Sequence, residues 1–359
     1  MGILNKITFL FKRPLVVFVL GKGCDCTAEA VSQVVKGRKV SGIKIPWVKS
    51  RKEIVVFNKE KINKKEAEIA CFLMKNSRKP ILVLTHLGNI PLERDSFQGE
   101  KNENIKEIVG AVKEKGGLVL NFDDETTQEL GSLSRASVLS FGFQKRADLR
   151  ATDINMDFEG INFKISYQNY IIPFWLEKIY GKEQIYAALA AAGTALLAGM
   201  NLVEASQSLK GYRSLPGKMR MIKGIKDSWI IDDSKEADPY SMREALSILS
   251  KIGKEKRKIA VLGDIISAGK EAPSIHESLG KEAVRSCDLL FVIGPRAKFI
   301  AKGAKEQGMP EDKVRHFYDV KEAKKEIQRE LNQDDLILID ASKEMPMEEI
   351  LEEIRFVEL

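Results

Sequence analysis

The strongest constraint on the fold is an alternation along the chain. Short, wholly apolar, β-branched runs recur, and a stretch of helical periodicity separates each from the next. "VVFVL", "EIVVF", "PILVLT" and "GLVLNF" are the first four, and runs of this composition are typical of parallel strands buried on both faces. Between them "KKEAEIACFLMKN" and "NENIKEIVGAVKEKG" fit helices, so an α/β fold with a parallel sheet is predicted. From Ala136 the texture changes to "SVLSFGF" and "ATDINMDFEGINFKISY", which predicts an antiparallel or mixed extension. A small-residue helix, "EQIYAALAAAGTALLAGM", follows, and its alanines allow close packing on a sheet. After "SLPGK" a second α/β unit opens with the strands "SWIIDD", "KIAVLGD", "DLLFVIG" and "DLILIDA". Several of these end in Asp or Gly, at the carboxyl edge where open α/β sheets place ligands.

A chain of 359 residues, 44% hydrophobic and 30% charged, has apolar content for two cores. The net charge is +7, but basic residues often stand beside acidic ones, as in "KEAKKEIQRE". That interleaving fits solvated helix faces and argues against a nucleic-acid partner. Four cysteines without a disulfide framework fit a reducing, cytoplasmic setting. The opening "MGILNKITFLFKRPLVVFVL" is broken by Lys12, Arg13 and Pro14, too early for a spanning helix, so no stable membrane insertion is expected. It reads as an amphipathic lead-in, with peripheral membrane contact through Phe9, Leu10 and Phe11 as the alternative. The basic stretch "VKGRKVSGIKIPWVKSRK", with Trp47, reads as a solvated loop or a partner contact.

One segment has the layout of a phosphate-binding loop with altered contents. In "VFVLGKGCDCTAEAV" a strand-like run enters a glycine turn and a helix leaves it. Where such a loop carries Gly-Lys-Ser/Thr, this chain has Gly21, Lys22, Gly23, Cys24, Asp25, Cys26 and Thr27. Two thiols are too few for a structural zinc, and no metal site is assigned. A helix N-terminus could activate Cys24 as a reactive thiol. The preferred reading is that Cys24 and Cys26 are small residues filling a vacated pocket.

The order "LPGKMRMIKGIKDSWIIDDSKEADPYSMREAL", "KIAVLGDIISAGKEAPSIHESLG", "DLILIDASKEM" resembles the C-terminal domain of the Mur ligase family. The family's patterns there are G-R-M/L, D-D-S-Y-N-A-N-P-x-S-M and V-L-G-D followed by a His. "GLVLNFDDE" and "LSFGF" are similar to its V-L-N-A-D-D and T-F-G. Within the family the branch that adds D-alanyl-D-alanine to UDP-N-acetylmuramoyl-tripeptide matches best. The resemblance implies a lead-in over 1–14, a P-loop-type parallel-sheet domain over 15–214 and a Rossmann-like α/β domain over 215–359. The few residues before the loop leave no room for the family's N-terminal UDP-binding domain, which is expected to be absent.

Such ligases convert a carboxylate to an acyl phosphate with ATP and Mg²⁺, and need cations where charge builds on the γ-phosphate. Carried over, Cys24 stands at the P-loop lysine, and Phe57 and Asn58 at the metal-binding Glu, with Glu60 offset. Pro91 stands at a metal-binding His, in "THLGNIPLE", with His86 nearby. Lys106 matches the carbamoylated lysine, and a solvent-exposed helix lysine is the equal reading. Lys218 replaces the Arg of G-R, and His276 matches the family His. Asp232 and Asp233 are kept, Lys235, Glu236 and Asp238 replace Tyr and two Asn, and Asp340 replaces a Lys beside the retained Ser342. The catalytic candidates are therefore Lys106, Lys218 and His276, and the nucleotide-binding candidates are Gly21 to Thr27 with Asp232 and Asp233. Two functions follow. One is a ligase-like protein with impaired catalysis that binds a cell-wall precursor, a nucleotide remnant or a partner ligase. The other is an active amide ligase using Lys22, Glu60, Lys106 and Lys218 in relocated roles.

Overall fold

The computed structural model describes residues 2–88, 100–235 and 237–357. They form two compact units. The first takes in Met1–Asn155, Asn162–Leu176 and Lys182–Arg213, and the second Met156–Ile161, Glu177–Gly181 and Ser214–Leu359.

In the first unit a short helix, α1 (Gly2–Lys12), leads into β1 (Leu15–Leu20), α2 (Cys24–Val35), β2 (Arg38–Lys39) and β3 (Ile54–Lys59). Then come α3 (Lys64–Asn76), β4 (Pro80–Leu84), α4 (Glu100–Ala111), β5 (Gly117–Asn121), α5 (Glu125–Ser132) and β6 (Ser137–Gly142). Strands β7 (Leu149–Asp157), β8 (Gly160–Tyr167) and β9 (Tyr170–Glu177) precede α6 (Lys182–Ala198) and α7 (Leu202–Leu209). Among the described residues the sheet order is β2-β3-β1-β4-β5-β6-β7-β8-β9. From β2 to β7 the pairings among the described residues are all parallel. The two-residue links joining β7, β8 and β9 suit only antiparallel neighbours, which is the mixed extension expected after Ala136.

All six residues of β1 are buried, because the strand has partners on both sides and a covered layer on both faces. Phe18 and Phe57 stack across β1 and β3 with ring centroids 5.8 Å apart. Phe9, expected to contribute to any membrane contact, is fully buried. It packs on Phe72 of α3 at 6.1 Å.

The second unit contains β10 (Arg220–Lys223), β11 (Trp229–Asp233), α8 (Pro239–Lys251), β12 (Lys258–Gly263), α9 (Ala272–Ala283) and β13 (Leu289–Ile293). It continues with α10 (Lys298–Glu306), β14 (Val314–Phe317), α11 (Val320–Glu330), β15 (Leu336–Asp340) and α12 (Glu348–Ile354). The sheet order is β10-β11-β15-β12-β13-β14. Among the described residues only β10 runs antiparallel to its neighbour. The parallel register sets Asp233 of β11 directly beside Asp340 of β15, so two carboxylates end adjacent strands. The turns of Phe158 and Lys178 belong to this unit, where the Phe158 ring meets Trp229 edge-on at 5.3 Å and the Lys178 ammonium lies 4.1 Å from the Phe158 ring centre.

Candidate functional site

In the first unit, β1 ends in Gly21, Lys22 and Gly23, and α2 starts at Cys24. Gly21 has φ 112°, and a β-carbon there would come within 2.6 Å of Thr85 Oγ1 and 2.7 Å of the His86 carbonyl oxygen. The glycine is thus explained by the close approach of the chain after β4. Three loop N–H groups donate inside the protein: Gly21 to Lys59 (3.2 Å), Lys22 to His86 (2.9 Å) and Cys24 to Gly21 (3.2 Å). A phosphate-cradling loop needs such donors turned toward its ligand.

Cys24 and Cys26 are both buried. Burial pushes the Cys24 thiol up to about 12, helped by Asp25 and, more weakly, by Glu60 and Glu183 against the Asn58 hydrogen bond. Burial of both cysteines favours their reading as small filling residues over the alternative of a helix-activated thiol. The dipole of α2 is outweighed by desolvation and like charge, and Cys24 stays protonated at neutral pH. Asn58 donates to Asp25 Oδ1 and lies 4.0 Å from Cys24 Sγ. Cys26 Sγ accepts from Gln184 Nε2 at 3.5 Å, and Tyr212 Oη donates to Gln184 Oε1 at 2.8 Å. These side chains fill the interior under the loop.

Glu183, which the sequence reading passed over, faces the same loop. Its Oε1 lies 3.3 Å from where a β-carbon on Gly23 would stand, buried and without a hydrogen-bond partner among the described residues. The available signal was its place in Gly181-Lys182-Glu183, third in a motif whose counterpart reads Gly-x-His.

His86 also has a partner that its sequence neighbourhood does not announce. Its Nδ1 is 3.1 Å from Asp124 Oδ2. Asp124 caps α5 through the Thr127 N–H and accepts the Leu87 and Gly88 N–H groups at 2.9 and 2.7 Å. Asp123 accepts from Tyr186 Oη at 2.9 Å and from the Phe143 N–H at 2.7 Å. The "FDD" pair therefore ties β5 to the chain after β4, to the chain after β6 and to α6.

Lys106 lies on the exposed side of α4, 2.8 Å from Glu103 one turn back. That is a surface ion pair. Pro91, with the rest of 89–99, and Glu236 lie outside the described residues. Among the described residues no group of three or more His, Cys, Asp or Glu could hold a metal ion.

In the second unit the retained aspartates organise the turn before β10. Asp232 Oδ2 accepts the Gly217 N–H at 2.8 Å and Arg220 Nε at 3.1 Å, and Oδ1 accepts Ser234 Oγ at 2.7 Å. Asp233 Oδ1 accepts the Met219 N–H at 3.2 Å. Lys218 is half-buried, its N–H bonded to the Leu215 carbonyl and its own carbonyl accepting from Ser214 Oγ. Arg220 is thus a cation on Asp232. Asp238 caps α8 through the Tyr240 and Ser241 N–H groups.

His276 is fully buried. Its Nδ1–H donates to the Ala272 carbonyl at 2.7 Å, and Nε2 accepts the Ile265 N–H at 3.1 Å. Burial holds its pKa below the usual range. Both ring nitrogens are engaged in fixing the loop after β12, so neither is left to move a proton to a substrate. Asp340 is also fully buried, and neither oxygen has a hydrogen-bond partner among the described residues. Burial, then Asp233 and Asp238, raise its pKa well above the ordinary value.

Two family models match this chain: the Mur ligase middle domain over residues 98–195 and the Mur ligase glutamate ligase domain over 217–343. The chain belongs to the Mur ligase family. A UDP-N-acetylmuramoyl-tripeptide–D-alanyl-D-alanine ligase of Bacillus subtilis is 27% identical over 277 residues, 76% of this chain and 58% of that protein. The corresponding ligase of Buchnera aphidicola is 27% identical over 69% of this chain and 53% of its own length. The chain therefore spans little more than half the length of these curated relatives. A crystal structure of MurF from Acinetobacter baumannii superposes with a TM-score of 0.81 at 19% identity, covering 97% of this chain and 77% of that one. The MurF ligase of Thermotoga maritima in complex with ADP gives 0.73 at 18% identity, covering 98% and 82%. The parallel-sheet architecture of both units is accordingly the Mur ligase fold.

Mur ligases generally use ATP and Mg²⁺. At the start of α2 this chain has the buried Cys24 thiol, whose pKa Asp25, Glu60 and Glu183 help to raise.

Proposed function

We propose that this chain is a Mur ligase-related protein with impaired ATP-dependent catalysis, acting by binding a cell-wall precursor or a partner ligase. The observation that carries the reading is the protonated Cys24 thiol at the start of α2, held under the fields of Asp25, Glu60 and Glu183. A triphosphate placed there meets like charge and loses the ammonium that phosphoryl transfer relies on. The engaged nitrogens of His276 and the surface ion pair of Lys106 support the same conclusion.

Calorimetry on the full chain with ATP, with and without Mg²⁺, tests it. The expected result is no Mg²⁺-dependent binding at millimolar nucleotide, with the double variant Cys24→Lys/Asp25→Thr gaining at least about tenfold in affinity. Mg²⁺-dependent ATP hydrolysis that Cys24→Ala abolishes would overturn the proposal.

A second reading, an active amide ligase, draws on the frame of the second unit. The turn from Gly217 to Arg220 is held on Asp232 and Asp233, an arrangement able to present a cation. Saturable ATP binding by the unmodified chain, weakened by Lys218→Ala, would favour that reading over the first.

A further inference from the structure

The helix α1 is packed inside out. At 100° per residue, Ile3, Leu4, Ile7, Leu10 and Phe11 fall within an arc of about 120°, and that arc faces outward. Phe11 is 83% exposed and Ile3 78%, with Leu4, Ile7 and Leu10 also exposed. The side turned to the domain carries Asn5, whose Nδ2 donates to the Ile45 carbonyl at 3.1 Å, and the buried Phe9. A helix bordering only water shows the opposite arrangement.

The loop that Asn5 holds presents more of the same chemistry. Trp47 is 52% exposed, beside an open, mostly apolar groove of about 640 Å³ that Asn5, Arg38, Ile45 and Trp47 help to line. Around it Lys6, Lys44, Lys49, Arg51 and Lys52 are all exposed. Residues 1–52 carry eleven lysines and arginines against two acidic residues, a net +9, while the whole chain is +7. The remaining 307 residues therefore net −2, and the basic character of the protein is concentrated in this segment.

We propose that α1 and the 44–52 loop form a docking face for an anionic lipid bilayer surface, with α1 lying in the interface plane. The apolar arc and Trp47 enter the boundary between headgroups and acyl chains, and the lysines and arginines meet the lipid phosphates. Charge alone would also suit a nucleic acid, but phosphates do not cover five aliphatic and aromatic side chains. Among the described residues no helix is long and apolar enough to cross a membrane, so the contact is peripheral.

The test is co-sedimentation of the full chain with vesicles of phosphatidylglycerol and phosphatidylcholine, compared with phosphatidylcholine alone. Binding is expected only to the anionic vesicles, weakening as NaCl is raised. Ile7→Ser/Phe11→Ser should weaken it at least about tenfold, with the circular dichroism spectrum unchanged. A Trp175→Phe/Trp229→Phe protein, leaving Trp47 as its one tryptophan, should show a blue shift of emission on binding. If Ile7→Ser/Phe11→Ser does not fold, Phe11→Ser alone and the Trp47 emission carry the test. Three outcomes would overturn the proposal: no binding to anionic vesicles, binding indifferent to Phe11→Ser, or tighter binding to an oligonucleotide than to vesicles. A dimer in sedimentation velocity that Phe11→Ser dissociates would assign the face to a second copy instead.

Discussion

The loop at the start of α2 and the carboxyl end of β15 each bury a titratable side chain, and they accommodate it differently. At the loop, Cys24 is small and neutral, Asn58 bonds to Asp25, and the interior is closed by Cys26, Gln184 and Tyr212. At the carboxyl end of β15, Asp340 leaves both of its oxygens without a partner among the described residues. Asp232, on the next strand, has the Gly217 and Ser234 groups and Arg220. Neighbouring carboxylates on one sheet edge thus lie at opposite extremes. The contrast shows that keeping a fold requires partners for a buried charge, or a proton on it.

The comparison can be broken most sharply at Asp232. Asp232→Ala leaves Arg220 and the Gly217 N–H without their acceptor and should cost about 3 kcal/mol or more in urea unfolding. A loss under about 1 kcal/mol would mean that the turn before β10 does not depend on this carboxylate. Asp340→Asn should act in the other direction. The folded Asp340 carboxyl keeps its proton above the pH at which the unfolded one, near 3.8, releases it. Folding therefore takes up a proton in that window, and stability falls as pH rises through it. Asparagine mimics the protonated acid and removes this slope. The variant should match the wild type near pH 4 and gain about 1.4 kcal/mol for each pH unit over which only the folded acid is protonated. Unfolding measured from pH 4.5 to 8 checks this, and parallel profiles for the two proteins would refute it. The smallest effect is expected at the loop. Asp25→Asn removes a first-turn acid from α2 and should cost about 0.5 kcal/mol, while labelling of Cys24 by a thiol reagent at pH 8 accelerates. An unchanged rate would show that burial alone protects the thiol.

Much of the scaffold was legible because it is written locally. The apolar runs of β1, β3, β4 and β5 and the helices between them follow from periodicities that neighbouring residues set. β14 escaped because "VRHF" is short and mostly half-buried, with too little apolar pattern to stand out. β2 is two exposed residues. The site was legible as a list of altered positions but not as an arrangement. His86 and Asp124 lie 38 residues apart in the sequence, and Cys26 and Gln184 lie 158 apart. No local pattern encodes either pair. Glu183 carried one local signal, its place in Gly181-Lys182-Glu183, but its approach to Gly23 joins residues 160 apart in the sequence.

The sequence by itself determined the α/β class and the residue types that stand at the loop and at the strand ends. Those are properties of residue type and short-range order. Only the tertiary structure decided the rest: that Cys24 stays protonated, that His276 is a strut, that Asp340 is a buried acid, and that α1 turns its apolar arc outward. Each of these depends on burial and on partners brought from distant parts of the chain, and dielectric environment and hydrogen-bond satisfaction exist only once the chain has folded.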